Sequence, residues 1–216
     1  MFRAFFPIFF TMLIVVDPVG LVPLYISLTS HISREKRKGI VSKAILVSFL
    51  VLLGFVFLGK PILALLHIEP GSFFIAGGIM LFIVALEMLF GMPSHSKASE
   101  KEHADPAHDD AGHIAIFPLA IPMLAGPGAL TTIILYVGSY SIGGRDFIFP
   151  EIAVMLVSAI ALVLAITAAA LRASDFILRI LGETGVSVME RIMGLLLAGL
   201  SVQFVYDGIV RLGFLA

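Results

Sequence analysis

Two short stretches hold the residues able to do chemistry inside an otherwise apolar chain. One is Val16-Asp17-Pro18-Val19-Gly20-Leu21-Val22-Pro23, and the other, far downstream, is Ile121-Pro122-Met123-Leu124-Ala125-Gly126-Pro127-Gly128. Proline removes a backbone donor and clashes with the preceding turn, and glycine costs about 1 kcal/mol against alanine, so a helix stops at each. A broken helix presents the N–H groups of one half, which attract anions, and the carbonyls of the other, which attract cations. The two breaks are chemically unequal. Asp17-Pro18 places an acidic N-cap before a first-turn proline, so the carboxylate can satisfy the local amides itself. Gly126-Pro127-Gly128 has no such side chain; its amides stay available, with Ala125 before them and Thr131 and Thr132 one turn on. The expected division of labour gives a substrate carboxylate to the glycine break. Asp17, with Pro18 and Gly20, would face an ammonium group, a coupling proton or Na⁺. Close backbone approach at bare glycines suits a small ligand. Thr29, Glu87 and Gln203 are candidates for polar lining or coupling.

Each of these residues also has a plainer reading. Pro-Gly breaks serve as packing kinks, Asp17 as a structural cap, Glu87 and Asp207 as solvated acids near span ends, and Gln203 as an interhelical hydrogen-bond partner. The histidines His95, His103, His108 and His113, with interspersed acids, are weak candidates for holding Zn²⁺ or Ni²⁺. Their spacings are wide and no helix fixes them, so a solvated loop is the reading preferred here, and no cofactor is expected.

The elements that must position the two breaks are membrane spans. Of 216 residues, 59% are hydrophobic and only 13% charged, and the mean hydropathy is +1.08; a soluble domain carries roughly 25% charged residues. There are no cysteines, which excludes disulfides and thiolate metal sites. The chain reads as an all-α integral membrane protein with six spans: 5–28, 40–66, 72–91, 114–140, 151–171 and 188–212. The first is read as a retained span and not a cleaved signal, because a single Arg3 precedes it and no small-residue cleavage site follows. Residues 92–113 form the one strongly hydrophilic stretch, and 172–187 a charged connection. Ala161, Ala165 and Ala169 recur four apart, which predicts a close helix–helix contact on that face.

Six spans divide into three and three, 1–91 and 114–216 around the hydrophilic loop. Gly78-Ile-Met-Leu-Phe-Ile-Val-Ala-Leu-Glu87 aligns without gaps on Gly194-Leu-Leu-Leu-Ala-Gly-Leu-Ser-Val-Gln203, and the Pro/Gly breaks fall in the first span of each half. An odd number of spans per copy forces the second copy upside down, so two inverted three-helix repeats are expected, with spans one and four broken. Paired interruptions of this kind are a sequence pointer to a transporter's binding site. If the loop after span one is cytoplasmic, ten of the 14 Lys and Arg residues lie on that side, which puts both termini outside.

At these residues the chain resembles the MarC (UPF0056) family of six-span bacterial inner-membrane proteins. The resemblance rests on Asp17-Pro18-Val19-Gly20-Leu21-Val22-Pro23-Leu24-Tyr25-Ile26-Ser27-Leu28-Thr29. It rests equally on Pro118-Leu119-Ala120-Ile121-Pro122-Met123-Leu124-Ala125-Gly126-Pro127-Gly128-Ala129-Leu130-Thr131-Thr132, and on Arg191-Ile192-Met193-Gly194-Leu195 in the last span. It implies a secondary carrier for small neutral amino acids such as glycine or alanine, like the SnatA-type transporters. Two other classes stand beside it: an exporter or channel for other small polar solutes, and a non-transport structural membrane protein. An enzyme is not expected, since no Ser/His, paired-Asp or HExxH arrangement lies inside a span. The expected partners are a small amino acid and the lipid bilayer, with no nucleic acid.

Overall fold

The computed structural model describes residues 2–30, 32–91, 110–138, 141–142, 145–146 and 148–213. Helix α1 (Phe2–Val16) ends at the first break and α2 (Leu21–Thr29) resumes after it. The long α3 (Arg34–Leu65) follows an extended Ser33, with Glu35 in its first turn where the helix dipole favours an acid. The next helix, α4 (Pro70–Phe90), starts on a first-turn proline and closes on Gly91, whose φ of 64° is left-handed. After the hydrophilic stretch, α5 (Asp110–Ile114) leads into the wide-turned α6 (Ala115–Leu124), and α7 (Pro127–Gly138) completes the fourth span. A minimal hairpin of β1 (Ser141–Ile142) and β2 (Arg145–Asp146) precedes α8 (Phe149–Arg172) and α9 (Ser174–Arg211).

Four helices, at 35–65, 70–90, 149–172 and 184–211, are long and apolar enough to cross a membrane alone. Two bent pairs raise the total to six: Ala4–Val16 with Leu21–Thr29 at 41°, and Gly112–Leu124 with Pro127–Val137 at 47°. These bent pairs fall where the first and fourth spans are expected, at the prolines and glycines. The fourth is interrupted more often than its glycine break requires. Phe117 (φ −123°, ψ 124°) and Ile121 (φ −129°, ψ 123°) are extended inside α6. Each directly precedes a proline, whose ring drives its predecessor out of the helical region.

The core is built on α8. It buries 56% of its most apolar stretch, against 28% to 33% for the other three unbroken spans. Ile152, Leu156, Ile160 and Val163 on α8 pack with Ile8 and Met12 of α1, Leu52 and Val56 of α3, and Leu119 and Ile133 of the fourth span. Apolar side chains such as Leu46, Leu50, Phe57, Ile79, Ile83, Leu195 and Val202 stay exposed around the outside, as lipid-facing positions do.

The charged connection over 172–187 is largely helical: α9 begins at Ser174 and turns at Gly182 (φ 63°, ψ 174°), a backbone conformation open in practice only to glycine. One local expectation is corrected. The alanines 161, 165 and 169 are exposed and carry no close helix contact, because α8 turns its Ile/Leu/Val face inward instead.

The close small-residue contact is between α4 and α9. A Cβ on Gly71 would stand 2.9 Å from the Gly208 carbonyl oxygen, one on Gly78 2.8 Å from that of Ser201, and one on Gly194 3.1 Å from that of Ala85. These partners define one antiparallel register with a small residue every two turns on both helices: Gly71, Gly78 and Ala85 against Gly208, Ser201 and Gly194. Side chains of that size let two backbones meet directly.

Candidate functional site

At the first break Asp17 takes a left-handed φ of 45°, a conformation that aspartate and asparagine tolerate better than most side chains. Its amide still donates to the Leu13 carbonyl at 3.0 Å, so α1 is closed up to this residue. Its carboxylate then turns over the start of α2 and accepts from the Gly20 amide at 3.1 Å. A Cβ on Gly20 would overlap the carboxylate, so any larger residue there has to displace it. The aspartate is 8% exposed, and Pro18 beside it is buried. Glu190, on α9, is a second acid whose charge reaches Asp17.

At the second break the Ala125 amide donates back to Ala120 at 2.9 Å, and the chain turns at Gly126, where a Cβ would strike the Pro122 carbonyl oxygen. Pro127 opens α7 and has no N–H, and the first bond closing the new helix runs from Leu130 to Gly126 at 3.1 Å. The amides of Gly128 and Ala129 are therefore first-turn donors, the kind of group that receives anions. Thr131 and Thr132 are buried, and their hydroxyls donate to the carbonyls of Pro127 (2.7 Å) and Gly128 (2.8 Å), one turn back.

The two breaks are neighbours. A Cβ on Gly128 would meet Val15 Cγ1 at 2.8 Å and would overlap Leu81, so the end of α1 and the middle of α4 both rest on the start of α7. Gly77 of α4 leaves the space that Thr131 fills. Further along, Thr11 and Tyr136 join α1 to α7 by a buried 3.1 Å hydrogen bond.

The remaining candidates lie apart from this cluster. Thr29 is buried at the far end of α2 and donates to Tyr25 at 2.7 Å. Gln203 is exposed and donates to Asp207 at 2.7 Å, on its own helix and not across to another. Half-buried Glu87 lies on α4. In the antiparallel register it stands opposite Ile192, roughly 16 Å along the helix axis from Gln203. The alignment that pairs Glu87 with Gln203 makes them equivalents and not contacts. His95, His103 and His108 lie outside the described residues; His113 is exposed, and no metal-holding cluster occurs among the described residues.

Val15, Leu81, Gly77, Thr11, Tyr136 and Glu190 are absent from the sequence-based candidates. The first four look like ordinary span residues. Tyr136 is one of four tyrosines with no local mark, whereas Glu190 is an acid at the edge of the last span and was open to notice.

The MarC family of integral membrane proteins matches residues 2–212. A UPF0056 membrane protein of Methanocaldococcus jannaschii is 38% identical over 94% of this chain and 86% of its own. The inner membrane protein YhgN of Escherichia coli is 36% identical over 92% of both chains, and a UPF0056 membrane protein of Archaeoglobus fulgidus is 36% identical over 96% and 92%. No solved structure matches. With four to six apolar membrane-crossing segments and a family match over residues 2–212, this chain is a multi-pass integral membrane protein and belongs to the MarC family.

Proposed function

We propose that the protein is a secondary transporter of small neutral amino acids of the glycine or alanine type, working by alternating access and coupled to H⁺ or Na⁺. One observation carries this reading: two interrupted spans lie side by side, one offering a buried carboxylate and the other first-turn amides. A zwitterion needs that pair of partners, a negative group for its ammonium and backbone donors for its carboxylate. The glycine break is covered by Val15 and Leu81, which supports a carrier that opens and closes over an open channel. An inverted-repeat architecture is supported by the pairing of α3 with α8 and of α4 with α9, the equivalent unbroken spans of the two halves. It is also supported by the alignment of Gly78 and Ala85 with Gly194 and Ser201, the small residues of the α4–α9 seam.

The test is flux of labelled glycine and alanine into proteoliposomes, with and without imposed H⁺ and Na⁺ gradients, for the natural chain, Asp17→Asn and Asp17→Ala. Asparagine keeps an oxygen for the Gly20 amide and tolerates the left-handed backbone, so it removes the charge and leaves the cap. Gradient-driven uptake is expected to fall at least tenfold in Asp17→Asn with its thermal midpoint preserved. Wild-type uptake and coupling in Asp17→Asn, with loss only in Asp17→Ala, would reduce Asp17 to a helix cap and remove it from the mechanism.

A further inference from the structure

The geometry points to an anionic-phospholipid site on the outer face of the bundle, in the groove between α3 and α8. This groove of about 350 Å³ is lined by Ile45, Leu46 and Phe49 of α3 and by Leu164 and the alanines 161, 165 and 168 of α8. Its one charged lining residue, Arg172, stands at one end, where its Nη2 donates to Ser42 Oγ at 3.0 Å. That bond takes one of five guanidinium donors and fixes the planar fork at the groove's mouth. Lys38 lies one turn before Ser42 on the same face of α3, and the Ser42 hydroxyl donates to its carbonyl at 3.1 Å. The acid nearest in sequence, Asp175, is engaged by Arg37 at 3.9 Å.

The dimensions match one leaflet. From Arg172 to Ala161 is eleven residues of helix, about 16 Å, and half of a bilayer's hydrocarbon core is about 15 Å. The groove thus runs from a basic interfacial end to about the bilayer midplane, with only apolar side chains along the way. An acyl chain fills such a slot while its phosphate meets the guanidinium, a geometry arginine suits better than lysine. The exposed alanines 161 and 165 then have a use: they are small because a lipid chain, and not a helix, lies against them. This site is separate from the two breaks and does not depend on what the protein carries.

The experiment is native mass spectrometry of the full-length, delipidated protein in detergent, titrated with dioleoyl phosphatidylglycerol or dioleoyl phosphatidylcholine. The natural chain is expected to bind one phosphatidylglycerol about fivefold more tightly than phosphatidylcholine. Arg172→Gln should bring that ratio to about one without changing phosphatidylcholine affinity, and Arg172→Lys should restore part of it. Ala165→Phe, which fills the slot from an exposed position, should weaken both lipids at least tenfold. Equal affinity of the natural chain for the two lipids, an undiminished preference in Arg172→Gln, or unchanged binding in Ala165→Phe would each overturn the site.

Discussion

Asp17 and Gly20 act as one unit, because a side chain at residue 20 would overlap the carboxylate where it now lies over the start of α2. Gly20→Ala should displace that carboxylate and lower stability by about 1–3 kcal/mol, the usual cost of forced overpacking, read as a fall in thermal midpoint in detergent. Gly128 makes the same argument across elements. Gly128→Ala collides with Leu81 and Val15 and should abolish uptake in the flux assay. Leu81→Ala removes the nearer obstacle, so the double variant Gly128→Ala/Leu81→Ala should recover part of the activity. A double variant no better than Gly128→Ala would show that the glycine is needed for something other than that contact.

The α4–α9 seam is the clearest feature among the helices. Its close approaches recur every seven residues on each helix, and at each glycine a backbone carbonyl of the partner helix, which cannot swing aside, is among the atoms met. Gly78→Leu or Gly194→Leu should therefore separate the pair and cost several kcal/mol. Gly199→Leu is the control, on the same helix with nothing within 4 Å of its Cβ position; its thermal midpoint should hold or rise, since leucine is the better helix former. Equal losses at 78 and 199 would show that the α4–α9 contact does not set the effect. In hydrocarbon, lipid tails already satisfy apolar side chains, so helix association has to draw on such close backbone packing.

For the whole molecule, the orientation inferred from charge places α3's basic start in the cytoplasm and the α7–α8 connection outside. The chain has no cysteine, so single-cysteine variants report cleanly. Lys38→Cys should resist a membrane-impermeant maleimide in intact cells and Ile148→Cys should react, both being exposed positions; the opposite pattern would invert the topology. Residues 92–109 join two ends that are separately finished, α4 by its Gly91 cap and α5 from Asp110. Replacing 94–108 by a short Gly/Ser linker should leave flux intact, and lost flux would give that stretch a part in transport.

The four unbroken apolar helices and the location of both breaks were legible in the chain because they follow from local rules. Apolar run length sets a span, and a proline or glycine interrupts a helix wherever it falls. Family membership was legible for the same reason, since the resemblance rested on two contiguous stretches, Asp17 to Thr29 and Pro118 to Thr132, and the family match covers both. Which small residues carry a helix contact was not. The alanine stripe of α8 and the two-turn series of α4 and α9 are both regular in sequence, and only the partners' positions decided that the first faces outward and the second meets a backbone. Val15 and Leu81 likewise became neighbours of the glycine break only through packing between segments remote in sequence, which no local pattern encodes.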